Sequence, residues 1–365
     1  MNTQYTARFD KIEDVLHSNL PKNLSKAWIL NSFEKIPSAI KQKHIEELTL
    51  PCQRLLELGG KRWRPLMLIL CAEMVLYHNN EKPQNNPKID FAYSLVPLVE
   101  YVHTASLIHD DIEDGADMRR GQPAAHCVYG IDTAINAASW LYFEAFSTIK
   151  NIKNIKNTPI QNQLYTILST EIRKLHLGQA MDISWHKNTE IPTAEEYTAM
   201  VRMKTGTLAS LAAKIGIITG GGTIEQAHRV ASITADIGVG FQIIDDCINL
   251  TTGNKGKKRG DDIVEGKKSL PLLLHVQKKP SDFKNIINCF NQAAAEGISS
   301  PAVEECIGII NTSDAIKKAQ VTGIDMITKS CAKLKKMYPV KKGGDKEDAP
   351  AYLIEAFFTD MLRNI

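Results

Sequence analysis

The chain of 365 residues lacks several features that mark specialised classes of protein. Its 44 basic and 41 acidic residues give a formal charge of +3, so no global field favours a nucleic acid as partner. Its seven cysteines are widely spaced and form no C-x-x-C pair, in a chain too large to need disulfides, which favours a reducing compartment. No apolar run reaches the roughly 18 residues of a membrane span, and residues 1–30 show no signal peptide. We therefore expect a cytoplasmic protein without a membrane span or nucleic-acid partner.

Strand signals are also scarce, whereas helical periodicity covers most of the chain. Stretches such as RPLMLILCAEMVL and ASITADIGVGFQIIDDCINL repeat apolar residues at helical spacing and are too long for strands. Turn formers separate these stretches at LGGK, HNNEKPQNNPK, NIKNIKNTP, ITGGGT and TTGNKGKKRGDD. The pattern predicts an all-α fold of about ten or more helices. We expect a core over residues 1–280 and a C-terminal helical extension of the same domain over residues 281–365.

The stretch SLIHDDIEDGADMRRG concentrates carboxylates in a way that needs an explanation. Like charges three or four residues apart destabilise a helix. The same spacing lets Asp110, Asp111 and Asp114 point to one side of a helix while Glu113 turns away. Carboxylate oxygens suit Mg²⁺, which would cancel the repulsion. Such a run by itself is equally typical of a solvated helix face.

A second acidic pair makes the metal interpretation stronger. Asp245 and Asp246 end another apolar helix in GFQIIDDCINL, with Asn249 three residues further on. Two such helix ends are expected to face each other across a cavity. Alone, the second pair would be as typical of an ordinary acidic helix terminus.

A polyanion held by metal ions should also meet basic side chains near helix ends. Arginine forks and lysine ammonium groups are the usual ligands of phosphates. Any one of these residues alone would be an ordinary solvated side chain, and a lone His103 would be an ordinary helix histidine. Candidates are Lys61, Arg62 and Arg64 in GGKRWRP, Arg119 and Arg120 in MRRG, Lys204 with Thr205 in VRMKTGTL, and the lysines of KGKKRGDDIVEGKK.

Together these motifs resemble the trans-isoprenyl diphosphate synthase family. GGKRWRP, HDDIEDGADMRRG, KTG, GFQIIDD and DIVEGKKSLP occur in the family's order between residues 54 and 274. Within the family, HLGQAMDISW and PTAEEYTAMVRMKTG look most like the eukaryotic geranylgeranyl diphosphate synthases. The resemblance implies a large helical bundle around a deep central cavity, the isoprenoid synthase fold, assembled as a homodimer.

The resemblance also implies roles for individual residues. Metal ligands would be Asp110, Asp111, Asp114, Asp245 and Asp246, holding three Mg²⁺ ions per active site once substrate is bound, with Mn²⁺ as a possible substitute. Many members have a third aspartate where this chain has Asn249, so we expect two aspartates to serve the second cluster. The allylic diphosphate would be bound between the clusters, and by Arg119, Lys204, Thr205, Gln242, Lys258 and Lys267. The isopentenyl diphosphate would be bound by Lys61, Arg64, His103 and Arg120.

The implied reaction joins isopentenyl diphosphate to an allylic diphosphate, farnesyl diphosphate or a shorter one, and releases diphosphate. The aspartates, Lys204, Thr205 and Lys258 would take part in catalysis. Product length would depend on tunnel depth: Ala105 and Ser106 leave the tunnel open, and an aromatic floor is expected at Tyr142 and Phe143, with His176. This predicts geranylgeranyl diphosphate, with a longer or a farnesyl product as alternatives.

Three other classes of protein fit the sequence less well. A terpene cyclase should carry Asn, Ser or Thr, and Glu in its second metal motif, and DDCINLTTG does not. An HD-type phosphohydrolase needs further upstream histidines, and His78 and His103 are poorly spaced for that role. A non-catalytic subunit of a heteromeric synthase usually lacks one acidic cluster, whereas this chain keeps both.

Overall fold

The computed structural model describes residues 3–150, 159–186, 190–253, 258–341 and 344–363. Over these residues the chain is almost entirely helical, with one π-helical turn at Arg202–Gly206, one 3₁₀ turn at Pro280–Asp282, and two short strands, β1 (Met118–Arg119) and β2 (Gln122–Pro123). The α-helices are α1 (Thr3–Asn19), α2 (Lys26–Phe33), α3 (Gln42–Glu57), α4 (Trp63–His78), α5 (Pro87–Ser94), α6 (Val96–Glu113), α7 (Ala125–Tyr129), α8 (Ile131–Lys150), α9 (Pro159–His186), α10 (Ala194–Val201), α11 (Thr207–Thr219), α12 (Ile224–Thr251), α13 (Asp261–Val264), α14 (Leu270–Lys278), α15 (Phe283–Glu296), α16 (Pro301–Asn311), α17 (Ala315–Met337) and α18 (Pro350–Leu362).

The helices confirm the predicted all-α fold, and most predicted breaks fall where helices end. LGGK separates α3 from α4, HNNEKPQNNPK separates α4 from α5, and ITGGGT separates α11 from α12. NIKNIKNTP falls largely on residues 151–158, which lie outside the described residues, as do residues 254–257 of the later break. The division at residue 280 stays a prediction.

The chain divides into two compact units, and each has its own core. The first comprises Met1–Thr170 and Leu211–Arg229. Its central helix is α4, in which every residue from Pro65 to Leu76 is buried, as expected of a helix that is apolar on all sides. Helix α6 packs along α8, and α8 also packs against α3.

The second unit comprises Glu171–Ser210 and Val230–Ile365. One of its apolar clusters joins Tyr197 and Val201 to Ile243 on α12 and Leu270 on α14. Helix α10, which supplies the first two, begins in a capping box in which Thr193 and Glu196 satisfy each other's backbone amides. Helix α10 ends at Val201 and runs directly into the π-helical turn, which begins at Arg202.

One stretch of the described residues is long and apolar enough to count as a candidate membrane span. It covers residues 87–113, which form α5 and α6, with a mean hydropathy of 1.2 in its most apolar window. Of that window, 72% is buried inside the protein, as in the core helix of a globular unit.

Helices α12 and α17 approach each other closely because two glycines meet at their crossing. A Cβ at Gly240 would lie 2.6 Å from the carbonyl oxygen of Gly323, and a Cβ at Gly323 would lie 2.8 Å from that of Gly240. Neither contact is relieved by moving a flexible side chain, because the obstacle is backbone. The crossing fixes the helix that carries the second acidic pair.

We therefore expect Gly240→Ala to lower the free energy of unfolding by about 1–3 kcal/mol through overpacking. The control is Gly308→Ala on α16, where a Cβ meets nothing within 4 Å. There the better helix propensity of alanine should raise the free energy of unfolding by about 0.5–1 kcal/mol. Urea titration measures both, and equal effects would show that the crossing is not tight.

Candidate active site

The first acidic cluster lies at the carboxyl end of α6, where the helix dipole disfavours negative charge. Asp111 is buried, with its residue 1% exposed, Asp110 and Asp114 are half-buried, and Glu113 is exposed. This is the orientation that the helical spacing predicts. Arg119 compensates the charge: its Nε donates to Asp111 Oδ1 at 2.6 Å, and its Nη2 lies 3.4 Å from Asp110 Oδ2.

A β-hairpin that the sequence analysis did not predict places Arg119 there. Strands β1 and β2 pair Met118 with Pro123 and Arg119 with Gln122, so the turn consists of Arg120 and Gly121. Both have positive φ, 53° and 76°, as a two-residue type I′ turn requires. The dipeptide Arg-Gly after the acidic run is the only sequence signal of this turn, and arginine rarely adopts a positive φ.

The predicted isopentenyl diphosphate residues lie in the same unit, and three of them form a basic group. Arg64 Nη1 donates to His103 Nε2 at 3.2 Å. Arg120 donates to the carbonyl of Leu55 at 3.1 Å. Its guanidinium packs against Gly60, so closely that a Cβ at that position would lie 2.9 Å from Arg120 Nη2. Lys61 follows that glycine and is exposed.

His103 is a neutral base in this setting. Burial lowers its pKa well below the usual value, and the charges of Arg64, Arg120, Arg62 and Arg119 lower it further. A neutral imidazole can accept the hydrogen bond from Arg64 and leaves the positive charge on the arginines. A bound diphosphate would raise the pKa of His103 again.

Arg62, named beside Lys61 and Arg64 in the sequence analysis, has a structural role. Its Nη1 donates to Glu100 Oε1 at 2.6 Å, and its Nε donates to Glu13 Oε1 at 2.7 Å. Both Arg62 and Glu100 are buried, so removal of one partner would leave an uncompensated charge. The left-handed φ of 46° at Arg62, just before α4, turns its side chain toward these acids.

The predicted chain-length residues of this unit are placed differently from one another. Ala105 is fully buried on α6, five residues before Asp110, and Ser106 is half-buried and donates a hydrogen bond from its hydroxyl to the carbonyl of His103. Tyr142 is buried and stacks on His109, with ring centroids 5.7 Å apart.

The side chain of Phe143, by contrast, lies on the surface of the single chain, with the residue 73% exposed. The physical reason is that consecutive residues of a helix point about 100° apart, so Tyr142 and Phe143 do not share a face. His176, in the second unit, is exposed as well. Of the three expected floor residues, only Tyr142 is therefore buried within the single chain.

In the second unit, Lys204 and Thr205 lie in the π-helical turn. Such turns are frequent at functional sites because the extra residue shifts the side chains out of α-helical register. The Thr205 hydroxyl donates to Gln242 Oε1 at 3.1 Å, and Gln242 Nε2 donates to Asp246 Oδ1 at 3.0 Å. The Tyr197 hydroxyl donates to Asp246 Oδ2 at 2.5 Å. The structure thus joins three predicted site residues through one hydrogen-bond network, with Tyr197 as a member the sequence analysis missed.

This network holds a buried carboxyl group. Burial raises the pKa of Asp246 to about 7, and the charge of Asp262 adds to the effect, while the hydrogen bonds from Gln242 and Tyr197 oppose it. A divalent cation would favour the ionised form instead. Asp262 was not singled out in the sequence analysis, although it stands in the motif DIVEGKKSLP.

The remaining predicted residues of this unit surround the loop after α12. Asn249 is buried, and its Oδ1 accepts the amide of Asp262 at 3.4 Å, so it fastens this loop. Lys267 pairs with Glu265 and lies 4.0 Å from Asp262. Lys258 is exposed at the start of the described stretch 258–341, and Asp245 is half-buried beside Asp246.

Lys204 has a partner that the sequence analysis did not identify. Its Nζ lies 2.7 Å from Asp182 Oδ2 on α9. Burial alone would raise the pKa of Asp182, but the charges of Lys204, His186 and Lys267 outweigh it and lower that pKa strongly. The residue occurs in HLGQAMDISW, where a lone aspartate on a helix gives no cluster to attract notice.

The donor set of both clusters fits a hard cation that arrives with its ligand. Within the described ranges, no group of three or more His, Cys, Asp and Glu side chains is arranged to hold an ion by itself. Mg²⁺ is usually bound through one or two carboxylates together with substrate phosphates. The carboxylates of Asp110, Asp111, Asp245 and Asp246 supply that kind of oxygen.

Comparisons with known proteins agree with this arrangement. The model of the polyprenyl synthetase family matches residues 45–307. The chain is 29% identical over 333 residues to a geranylfarnesyl diphosphate synthase of Natronomonas pharaonis, covering 88% of this chain and 94% of that protein. It is 36% identical over 236 residues to a geranylgeranyl diphosphate synthase of Methanosarcina mazei, covering 64% and 68%.

A solved structure gives the same result for the fold. The crystal structure of geranylgeranyl pyrophosphate synthetase from Pyrococcus horikoshii matches with a TM-score of 0.77 and 25% identity, over 98% of this chain and 97% of that one. The chain has the all-α fold of the isoprenyl diphosphate synthases. The chain belongs to the polyprenyl synthetase family of prenyltransferases.

Proposed function

We propose that this chain is a Mg²⁺-dependent prenyltransferase that condenses isopentenyl diphosphate with an allylic diphosphate to form geranylgeranyl diphosphate and release diphosphate. The observation that carries the proposal is that each aspartate cluster follows an apolar stretch of its helix, α6 or α12, and has basic or hydrogen-bonding partners in place. Arg119 serves the first cluster, and Gln242 with Tyr197 serves the second. The family membership supports the reaction class.

The allylic diphosphate would be bound through both acidic clusters. Asp110, Asp111 and Asp114, with Asp245 and Asp246, would hold the ions, three per active site. Bound Mg²⁺ would stabilise the charge that develops on the departing diphosphate. Arg119, Lys204, Thr205, Gln242, Lys258 and Lys267 would donate to the same diphosphate. Arg119, Lys204 and Thr205 have hydrogen-bond partners that restrain them, and such preorganisation is the main source of electrostatic catalysis.

Isopentenyl diphosphate would be bound by Lys61, Arg64 and Arg120, with the neutral His103 orienting Arg64. Holding this second substrate in place lets its double bond attack the allylic carbocation as an effectively intramolecular step. The C–C bond forms, the C–O bond of the allylic substrate has already broken, and the released diphosphate takes the proton. No nucleophile of the protein is required.

The metal assignment is tested by Asp110→Asn and Asp245→Asn, each of which should lower turnover by about 10²–10³-fold. Turnover is measured from labelled isopentenyl diphosphate and farnesyl diphosphate with Mg²⁺. Glu113→Gln is the matched control, because it neutralises an exposed carboxylate of the same acidic run and should leave turnover unchanged. Normal activity of both aspartate variants would contradict the assignment.

A non-catalytic subunit of a heteromeric synthase is the alternative of another class. The purified wild-type chain alone distinguishes the two, because a non-catalytic subunit would form no prenyl diphosphate without a second polypeptide.

The proposed C20 product depends on where the growing tail is stopped. Ala105 is small and buried on α6, five residues before Asp110, so Ala105→Phe should shorten the product toward C15. Tyr142→Ala should lengthen it, because the ring stacked on His109 would no longer close the path. Chromatographic sizing of the products measures both. A wild-type product of C15, or no response to either change, would contradict this floor.

We also propose that the chain forms a homodimer through α8. Three large apolar side chains of this helix are exposed in the single chain: Ile131 at 57%, Ile135 at 43% and Phe143 at 73%. A second copy would cover them and would enclose Phe143, as its expected role in the floor requires. The exposed His176 would need the same cover.

Phe143→Glu should therefore weaken the dimer, because association would bury an unpaired charge. Sedimentation equilibrium of the variant and the wild type measures this, with Glu113→Gln as a control. A monomeric wild type at micromolar concentration would contradict the proposal. The cytoplasmic location expected from the cysteine pattern stays a prediction.

A further inference from the structure

Helix α9 carries a buried carboxylate that reaches the π-helical turn. The side chain of Asp182 is 7% exposed, and its Oδ2 lies 2.7 Å from Lys204 Nζ. Its other oxygen, Oδ1, lies 3.2 Å from His186 Nε2, one turn further along the same helix. Asp182 is thus held from one side and contacts Lys204 on the other.

The backbone of α9 also touches the π-helical turn directly. Gly178 precedes Asp182 by one turn, and a Cβ at Gly178 would lie 2.3 Å from the amide nitrogen of Lys204. Only glycine permits this approach, because the obstacle is backbone. The main chain of Lys204 is therefore fixed against α9 at Gly178, and its side-chain end is fixed at Asp182.

The same helix end meets the second lysine-bearing segment of the unit. Gly266, with a φ of +74°, packs against the backbone of His186: a Cβ on Gly266 would lie 3.2 Å from the carbonyl oxygen of His186. Lys267 follows directly in the sequence, and its charge acts on Asp182. Asp182 thus lies within the electrostatic reach of two lysines predicted to bind the allylic diphosphate.

We propose that Asp182 is a positioning residue for prenyl transfer, which orients the Lys204 ammonium group for the allylic diphosphate; this rests on the proposed function. A lysine side chain is a flexible four-carbon stem, and its charged end has no fixed place without a partner. A charge-assisted hydrogen bond from one of its three donors restrains the ammonium group. His186 restrains the carboxylate in turn.

A purely structural ion pair would produce a different pattern of effects. Glu171 provides the comparison: it lies on the same helix, its side chain is 1% exposed, and it pairs with Lys174 at 3.0 Å. Neither residue belongs to the predicted site. Glu171→Gln therefore removes a buried carboxylate charge from α9 without changing a group near the substrate.

The experiment is a double-mutant cycle with Asp182→Asn, Lys204→Ala and both changes together. We expect Asp182→Asn to lower kcat/KM for the allylic substrate by about 10–100-fold, because a misplaced catalytic group costs this much. The KM for isopentenyl diphosphate should stay unchanged. In the Lys204→Ala background, Asp182→Asn should add less than about threefold, because the two residues act as one unit.

The controls separate this proposal from the function on which it rests. Glu171→Gln should retain the wild-type kcat/KM. Thermal unfolding monitored by circular dichroism should show that every variant is folded. If the wild type is active and Asp182→Asn retains the wild-type kcat/KM, the positioning role is overturned. The same holds if Asp182→Asn lowers kcat/KM by the same factor with Lys204 present and with Lys204→Ala. If the wild type forms no prenyl diphosphate, the proposed function itself fails. A milder Asp182→Glu variant, which keeps the charge, should recover part of the lost kcat/KM.

Discussion

The constraint on which the structure depends is concentrated negative charge on two apolar helices, α6 and α12. The first acidic cluster occupies the last turn of α6, where the dipole opposes it. Asp245 and Asp246 were expected to end their helix, but α12 continues to Thr251 and holds them within a helix rather than at its end. Each helix therefore needs compensation from another part of its own unit. In the first unit this comes as the charge of Arg119, and in the second as the hydrogen bonds that Gln242 and Tyr197 donate to Asp246.

The compensating groups are also the ones that a diphosphate would use. In the structure described here Arg119 is bound to Asp111, and Lys204 is bound to Asp182. In a metal-bound diphosphate, the metal ions would pair with the carboxylates, and the anionic oxygens would pair with the basic groups. Under the proposed function, substrate binding would therefore exchange one set of ion pairs for another, and few unpaired charges would be created at any step. Neutral His103 fits the same logic, since a further cation beside four arginines would be repelled.

Helical period and turn chemistry were enough to predict the all-α fold, most helix ends and the side of α6 on which the aspartates lie. The hairpin escaped because its turn uses Arg120 at positive φ, which sequence signals assign to glycine or asparagine. Asp182 escaped because its partner is distant in sequence and no neighbouring acid marks it. Phe143 was expected beside Tyr142 inside the subunit, although helical geometry separates adjacent residues by about 100°.

The π-helical turn has a consequence for how this chain can vary in length. A π turn holds one residue more than an α turn, so loss of one residue within 202–206 would close it into a regular helix. Helices α10 and α11 would then continue in register, and packing on either side would be kept. The bulged backbone that presents Lys204 and Thr205 would be gone, while the fold would survive. A single-codon deletion here is thus a direct route from an enzyme to a folded, inactive relative of the same architecture.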